Sequence, residues 1–169
     1  MNKSKLKKSL VIGSANFTQN YGVDSSNINH SEIKKIFNLA KKNKIYRFDS
    51  AKAYLKNNNV FKNKDIKFKF STKLIFDHWW ISLDYCQKQI QEHFKSFNKN
   101  KIETLFFHDV KCLLSKNGMK IFKNIELLKK KKYFQKIGFS IYDTKYLNYI
   151  MLNYNLDAVQ YPYNILNKS

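Results

Sequence analysis

Short apolar runs alternate with longer amphipathic segments from one end of the chain to the other. The runs at residues 10–13, 45–49, 67–74, 103–108, 136–140 and 158–161 predict strands, and 67–74 (KFKFSTKL) alternates most cleanly. Between them, residues 31–43, 82–97, 116–132 and 143–153 predict helices. Ser31 is the expected cap of the first helix, and Ile33, Ile36, Phe37 and Ala40 fall on one face of it. The next-but-one helix boundary is set by Ser82 or Asp84. Residues 53–62 predict a weak helix at best, because Asn57, Asn58 and Asn59 interrupt it. Helices between consecutive short strands imply right-handed crossovers and a parallel sheet. No linker, low-complexity tract or compositional shift divides residues 1–169, so one domain is expected.

Side-chain parity adds direction. Tyr46 and Phe48 fall on one face of the second strand, Arg47 and Asp49 on the other. Lys73 shares a face with Ser71, opposite Phe70, Thr72 and Leu74. His108 lies with Phe106, Ser140 with Gly138, and Gln160 with Ala158, each opposite bulky neighbours. Strands of this kind suit an α/β barrel of the (β/α)8 type. There the apolar face meets the helices and the polar ends gather at the carboxyl mouth, where active sites sit.

Composition changes this picture little. The chain is 169 residues long and 43% hydrophobic, enough for one filled core, with four glycines and one proline. The basic start followed by a short apolar run is too brief for a signal peptide, and no run approaches a membrane span. Cys86 and Cys112 fit no metal-ligand spacing and are expected as reduced thiols in a cytoplasmic protein. The net charge is +20, yet the lysines are dispersed and Arg47 is the only arginine. Together with abundant Asn, Ile, Phe and Tyr, that bias points to an AT-rich genome rather than to a specific nucleic-acid partner.

The candidate chemistry comes from Asp49, Tyr54, Lys73 and His108, all at or just beyond strand ends. A tyrosine delivers its proton poorly at neutral pH unless an ammonium beside it lowers its pKa. A carboxylate can hold that ammonium, and an imidazole can orient a carbonyl. Four such groups at one mouth suit proton transfer to a carbonyl oxygen. The matching hydride donor is no side chain, so a cofactor is implied.

With these residues in place, the sequence resembles the aldo/keto reductase family. The segments that carry the likeness are LVIGSANF at 10–17, FDSAKAY at 48–54, FSTKL at 70–74, LFFHD at 105–109, KIGFSIYD at 136–143 and VQYPYNIL at 159–166. The resemblance implies NAD(P)H-dependent reduction of a small-molecule carbonyl, with NADPH or NADH as cofactor. Tyr54 would be the general acid, Lys73 and Asp49 its tuning pair, and His108 the carbonyl orienter. Ser140 and Gln160 would meet the nicotinamide carboxamide, with Ser14 beside the cofactor. No metal site is implied.

Two departures from the family pattern stand out. Leu55 follows Tyr54 where the family has glycine, and Ile141 follows Ser140 where asparagine is usual. A full barrel takes about 250 residues, so this chain is expected to be incomplete, with about six strands. An incomplete barrel leaves strand edges open to self-association or to a complementing C-terminal chain. A non-catalytic remnant or regulatory subunit on the same fold is the alternative reading.

Overall fold

The computed structural model describes residues 9–17, 28–51, 54, 68–76, 82–97 and 102–164. Among the described residues six strands are present: β1 (Val11–Gly13), β2 (Arg47–Asp49), β3 (Lys69–Leu74), β4 (Ile102–Phe107), β5 (Phe134–Ser140) and β6 (Ala158–Gln160). The described α-helices are α1 (His30–Lys42), α2 (Leu83–Phe97), α3 (Lys111–Leu114), α4 (Gly118–Lys130) and α5 (Leu147–Asn153). All neighbouring strands pair in parallel, in the order β1-β2-β3-β4-β5-β6. This is an incomplete (β/α)8 barrel, with all six predicted strands in their predicted order.

Local chemistry moves several boundaries. Asn29, not Ser31, caps α1: its side chain accepts the Glu32 N–H at 3.0 Å, and the Glu32 carboxylate accepts the Asn29 N–H at 2.9 Å. The reciprocal bond needs an acid three residues after the cap, which Asn29 has. The single helix expected at 116–132 starts only at Gly118, because Ser115 is extended (ψ 162°) and sets α3 apart. It also stops earlier, since Lys132 takes φ 62° and turns the chain into β5. At 143–153 a 3-10 turn, Thr144–Tyr146, precedes α5, and Asp143 caps it through the Lys145 N–H at 2.9 Å. The β2 run shortens to Arg47–Asp49, β3 begins at Lys69 and β6 ends at Gln160; β4 gains Ile102 and β5 reaches back to Phe134. Tyr54 apart, the weak helix expected at 53–62 lies outside the described residues.

Parity is obeyed toward the carboxyl ends of the strands; at the amino ends of β4 and β5 it slips, since Ile102 and Phe134 join the same core cluster as Leu105 and Ile137. Leu74, Phe107, Phe139 and Val159 occupy one outward row by register. The first three are no more than 3% exposed under the helices, whereas Val159 on β6 is 44% exposed. A second cluster joins Phe37 of α1 to Phe48 and Phe70 with Phe68 at 4.5 Å from the Phe48 centroid. Inside the barrel the next row runs Lys73, Phe106, Gly138, Ala158. The Phe106 ring fills the interior because its neighbours on β5 and β6 are small. At the opposite end Arg47 and Lys69 both reach Glu103, at 3.1 and 3.5 Å. Asp157 ties β6 to the sheet by accepting the Ile137 N–H at 2.7 Å and the Lys129 ammonium at 2.6 Å.

Gly138 gives the sharpest test of this interior. A Cβ there would meet the Phe106 ring at 2.6 Å and the Ala158 carbonyl at 2.9 Å. Gly138→Ala should destabilise the fold by about 1–3 kcal/mol, the usual cost of overpacking. A urea titration followed by circular dichroism reads this as a lower midpoint; an unchanged midpoint would show that the interior is loosely packed.

Candidate active site

The β-strand carboxyl ends deliver the polar groups to one cleft. Asp49 is the last residue of β2, and Lys73 sits one residue before the end of β3. His108 follows β4 directly, and its backbone N–H is held by the Leu74 carbonyl at 2.9 Å. Ser140 and Gln160 end β5 and β6 in register with each other. Tyr54 enters from a turn closed by its own N–H on the Ala51 carbonyl at 2.9 Å. A cleft of about 260 Å3 is lined by Asp49, Tyr54, Lys73 and His108, and also by Ser14, Ser140 and Gln160. The structure thus brings all seven sequence-predicted positions together.

Within the cleft the charges are ordered. Lys73 Nζ donates to Asp49 Oδ2 at 2.5 Å, with both side chains largely removed from water. Gln160 Nε2 donates to the same oxygen at 3.2 Å. Ser14 is buried, and its hydroxyl is engaged with the Asp49 carbonyl at 3.1 Å and Ser50 Oγ at 2.7 Å. Ser14 therefore braces β1 against β2 behind the cleft. Three buried atoms, Asp49 Oδ1, His108 Nδ1 and Gln160 Oε1, have no hydrogen-bond partner among the described residues. Buried polar groups are ordinarily satisfied, and three orphans around one cleft mark a place where a polar ligand fits.

The family model for the aldo/keto reductase family matches residues 9–169. The chain belongs to the aldo/keto reductase family. A comparison with curated proteins found no match. Among solved structures, a Pseudomonas aeruginosa protein assigned to the aldo-keto reductases aligns with TM-score 0.72 at 17% identity, over 93% of this chain and 64% of that one. The aldo-keto reductase of Bacillus halodurans in its holo form aligns with TM-score 0.68 at 15% identity, over 91% and 53%. The glycerol dehydrogenase of Gluconobacter oxydans gives 0.67 at 14% identity, over 94% and 52%. The chain thus spans about half to two thirds of the length of these structures. At such identities the likeness is one of fold.

In this family member the residue after Ser140, Ile141, is buried in the core cluster, while the segment from Leu55 to Asn59 lies outside the described residues. Sequence reasoning missed five residues that line the cleft: Gly13, Ala15, Tyr142, Tyr161 and Pro162. Tyr142 lies beyond its strand, since β5 ends at Ser140. Tyr161 and Pro162 likewise lie beyond their strand, where parity ends.

His108 is the cleft group with a resolved displacement. Burial lowers its pKa below the ordinary 6.5, and the Lys73 ammonium lowers it further, against smaller opposing pulls from Asp109 and Asp49. The imidazole is therefore held neutral at pH 7, as a hydrogen-bond donor and acceptor. In the window between the lowered value and 6.5 the unfolded chain binds the proton more readily. The stability linked to His108 is then complete above pH 6.5 and is lost as pH falls through the folded value. NMR titration of the His108 ring should show a midpoint below 6.5 that moves upward in Lys73→Met; a midpoint that ignores Lys73 would contradict this arrangement.

Proposed function

We propose that this chain carries the reaction half of an NAD(P)H-dependent aldehyde or ketone reductase. The observation that carries the reading is the 2.5 Å Lys73–Asp49 pair in a cleft also lined by Tyr54 and His108. Tyr54 gives its phenolic proton to the carbonyl oxygen as that oxygen gains negative charge. The Lys73 ammonium favours the phenolate left behind, and Asp49 holds Lys73 in place. Neutral His108 donates a ring N–H to the same oxygen and fixes the carbonyl's direction.

The cleft fits a nicotinamide group. Gln160 Oε1 is a buried acceptor without a partner, and Ser140 stands in register beside it, so the two together suit a carboxamide. Ser14 supports the wall behind them rather than offering a free hydroxyl. When bound, NADPH or NADH supplies the hydride that arrives at the carbonyl carbon. The rest of the balance is internal to the cleft: one proton leaves Tyr54, one alcohol forms, and solvent restores the phenol.

The partners follow from the same features. The substrate is a small carbonyl compound, and the dispersed lysines suit no specific nucleic acid. No helix among the described residues is long and apolar enough to cross a membrane. We place the reaction in the cytoplasm, in keeping with the free thiols of Cys86 and Cys112. Each of β1 and β6 pairs on one side only among the described residues, which favours self-association or a complementing chain that closes the barrel. The same open edges favour the second reading, a chain that binds without turnover.

A cofactor titration by fluorescence, with NADPH oxidation against small aldehydes, separates the readings. Residues 1–169 alone should bind NADPH weakly and turn over slowly, because remote contacts also position the reacting atoms. Fusion to a segment supplying two further β/α units should restore both. In that fusion Tyr54→Phe should abolish reduction with little change in NADPH affinity. A closed barrel that binds NADPH and reduces nothing would favour the non-catalytic reading.

A further inference from the structure

The cleft around Lys73 holds about 260 Å3, at or below the lower end of the ~300–1,000 Å3 typical of small-molecule sites. A second cavity, of about 480 Å3, adjoins it and shares His108, Ser140 and Tyr142 with it. It lies between the segments that follow β4 and β5. Buried Val110 and Ile141 contribute apolar surface, and Tyr142 and Tyr146 contribute ring surface. The charged side chains of the lining stand at its solvent-facing rim, Lys111 86% and Asp109 57% exposed. Asp109 Oδ1 accepts the Lys111 N–H at 2.8 Å, its other oxygen stands 3.7 Å from the Lys111 ammonium, and Asp143 accepts the Lys145 N–H at 2.9 Å. What the cavity offers a ligand is therefore apolar and aromatic. Tyr142 is 75% exposed, so a ligand packed against its ring removes a large apolar area from water.

We propose that this second cavity is the subsite for the substrate beyond its carbonyl group, and that Tyr142 is its specificity-determining wall. The proposal rests on the carbonyl-reduction reading, because His108 borders both cavities. A carbonyl oxygen held by His108 can send the remainder of the molecule past Tyr142. The preferred substrates are aryl- or alkyl-substituted aldehydes such as phenylpropanal. Short or polyhydroxylated carbonyls leave the apolar lining unfilled and gain nothing from it.

The test uses product alcohols, which have no carbonyl to condense with the many lysines. Residues 1–169 with ring-labelled tyrosine are titrated with 3-phenylpropan-1-ol and, separately, with glycerol, and the ring signals are followed by NMR. The phenyl alcohol should shift the Tyr142 and Tyr146 signals, and glycerol should leave them in place. Tyr142→Ala should weaken binding at least about fivefold and Tyr142→Phe should retain it, where each tenfold is about 1.4 kcal/mol. A thermal melt checks that both variants fold. No shift with the phenyl alcohol, or equal affinity in Tyr142→Ala, would overturn the subsite. The two claims fail separately. In the closed barrel, NADPH oxidation with equal kcat/KM for phenylpropanal and glyceraldehyde removes the subsite and leaves the reductase. Binding of the alcohol at Tyr142 without any NADPH oxidation removes the reductase and leaves an aryl-binding cavity.

Discussion

Lys73 places an ammonium group on the inner face of β3 with 8% of its side chain open to solvent. A charge so far from water is costly unless a counter-charge and hydrogen bonds surround it. Asp49 supplies the counter-charge at 2.5 Å, and Gln160 adds a hydrogen bond to the same carboxylate at 3.2 Å. The first contact joins β2 to β3, and the second reaches across the mouth from β6 to β2. The need to neutralise one buried lysine therefore fixes three strand ends with respect to one another. It also sets the electrostatics of the cleft, since the same ammonium helps to keep His108 neutral.

The interior below the mouth permits this arrangement. Phe106 occupies the centre because Gly138 and Ala158 are its neighbours in register. That ring separates the polar mouth from the opposite end, where Arg47 and Lys69 converge on Glu103. The outward rows are sealed by helices everywhere except at the sheet's edges, where Val159 is bare. Exposed apolar side chains on an unpaired edge favour association, and on β6 that edge meets the ordered site, since Val159 faces outward and its neighbour Gln160 faces the cleft.

Much of this was legible in the sequence for one reason: strand parity holds at the carboxyl ends, although it slips at Ile102 and Phe134 at the other end. Counting in twos from Lys73, Asp49, His108, Ser140 and Gln160 placed each of them inward, and the register agrees. What escaped depends on contacts that no local pattern encodes. The cap of α1 is an exception: Asn29 with Glu32 three residues on is a capping box legible in the sequence, whereas Ser31 has Lys34 at that spacing. The break at Ser115 reflects Gly118 packed against the Leu113 carbonyl, where a Cβ would overlap it. The Arg47–Glu103 pair joins residues 56 positions apart. The second cavity arises from two loops meeting, so Tyr146 carried no signal of its own.

On the proposed reductase reading, the buried Lys73–Asp49 pair powers proton delivery rather than merely filling the barrel mouth. Single-turnover hydride transfer in the barrel closed with two further β/α units tests it most directly. Lys73→Met, with NADPH saturating and a small aldehyde, should slow the step by about 100-fold or more, the range expected when general acid catalysis is lost. Lys69→Met, which removes a cation engaged only with Glu103 among the described ion pairs, should leave the rate unchanged. A Lys73→Met barrel that transfers hydride within twofold of the parent rate would contradict the account.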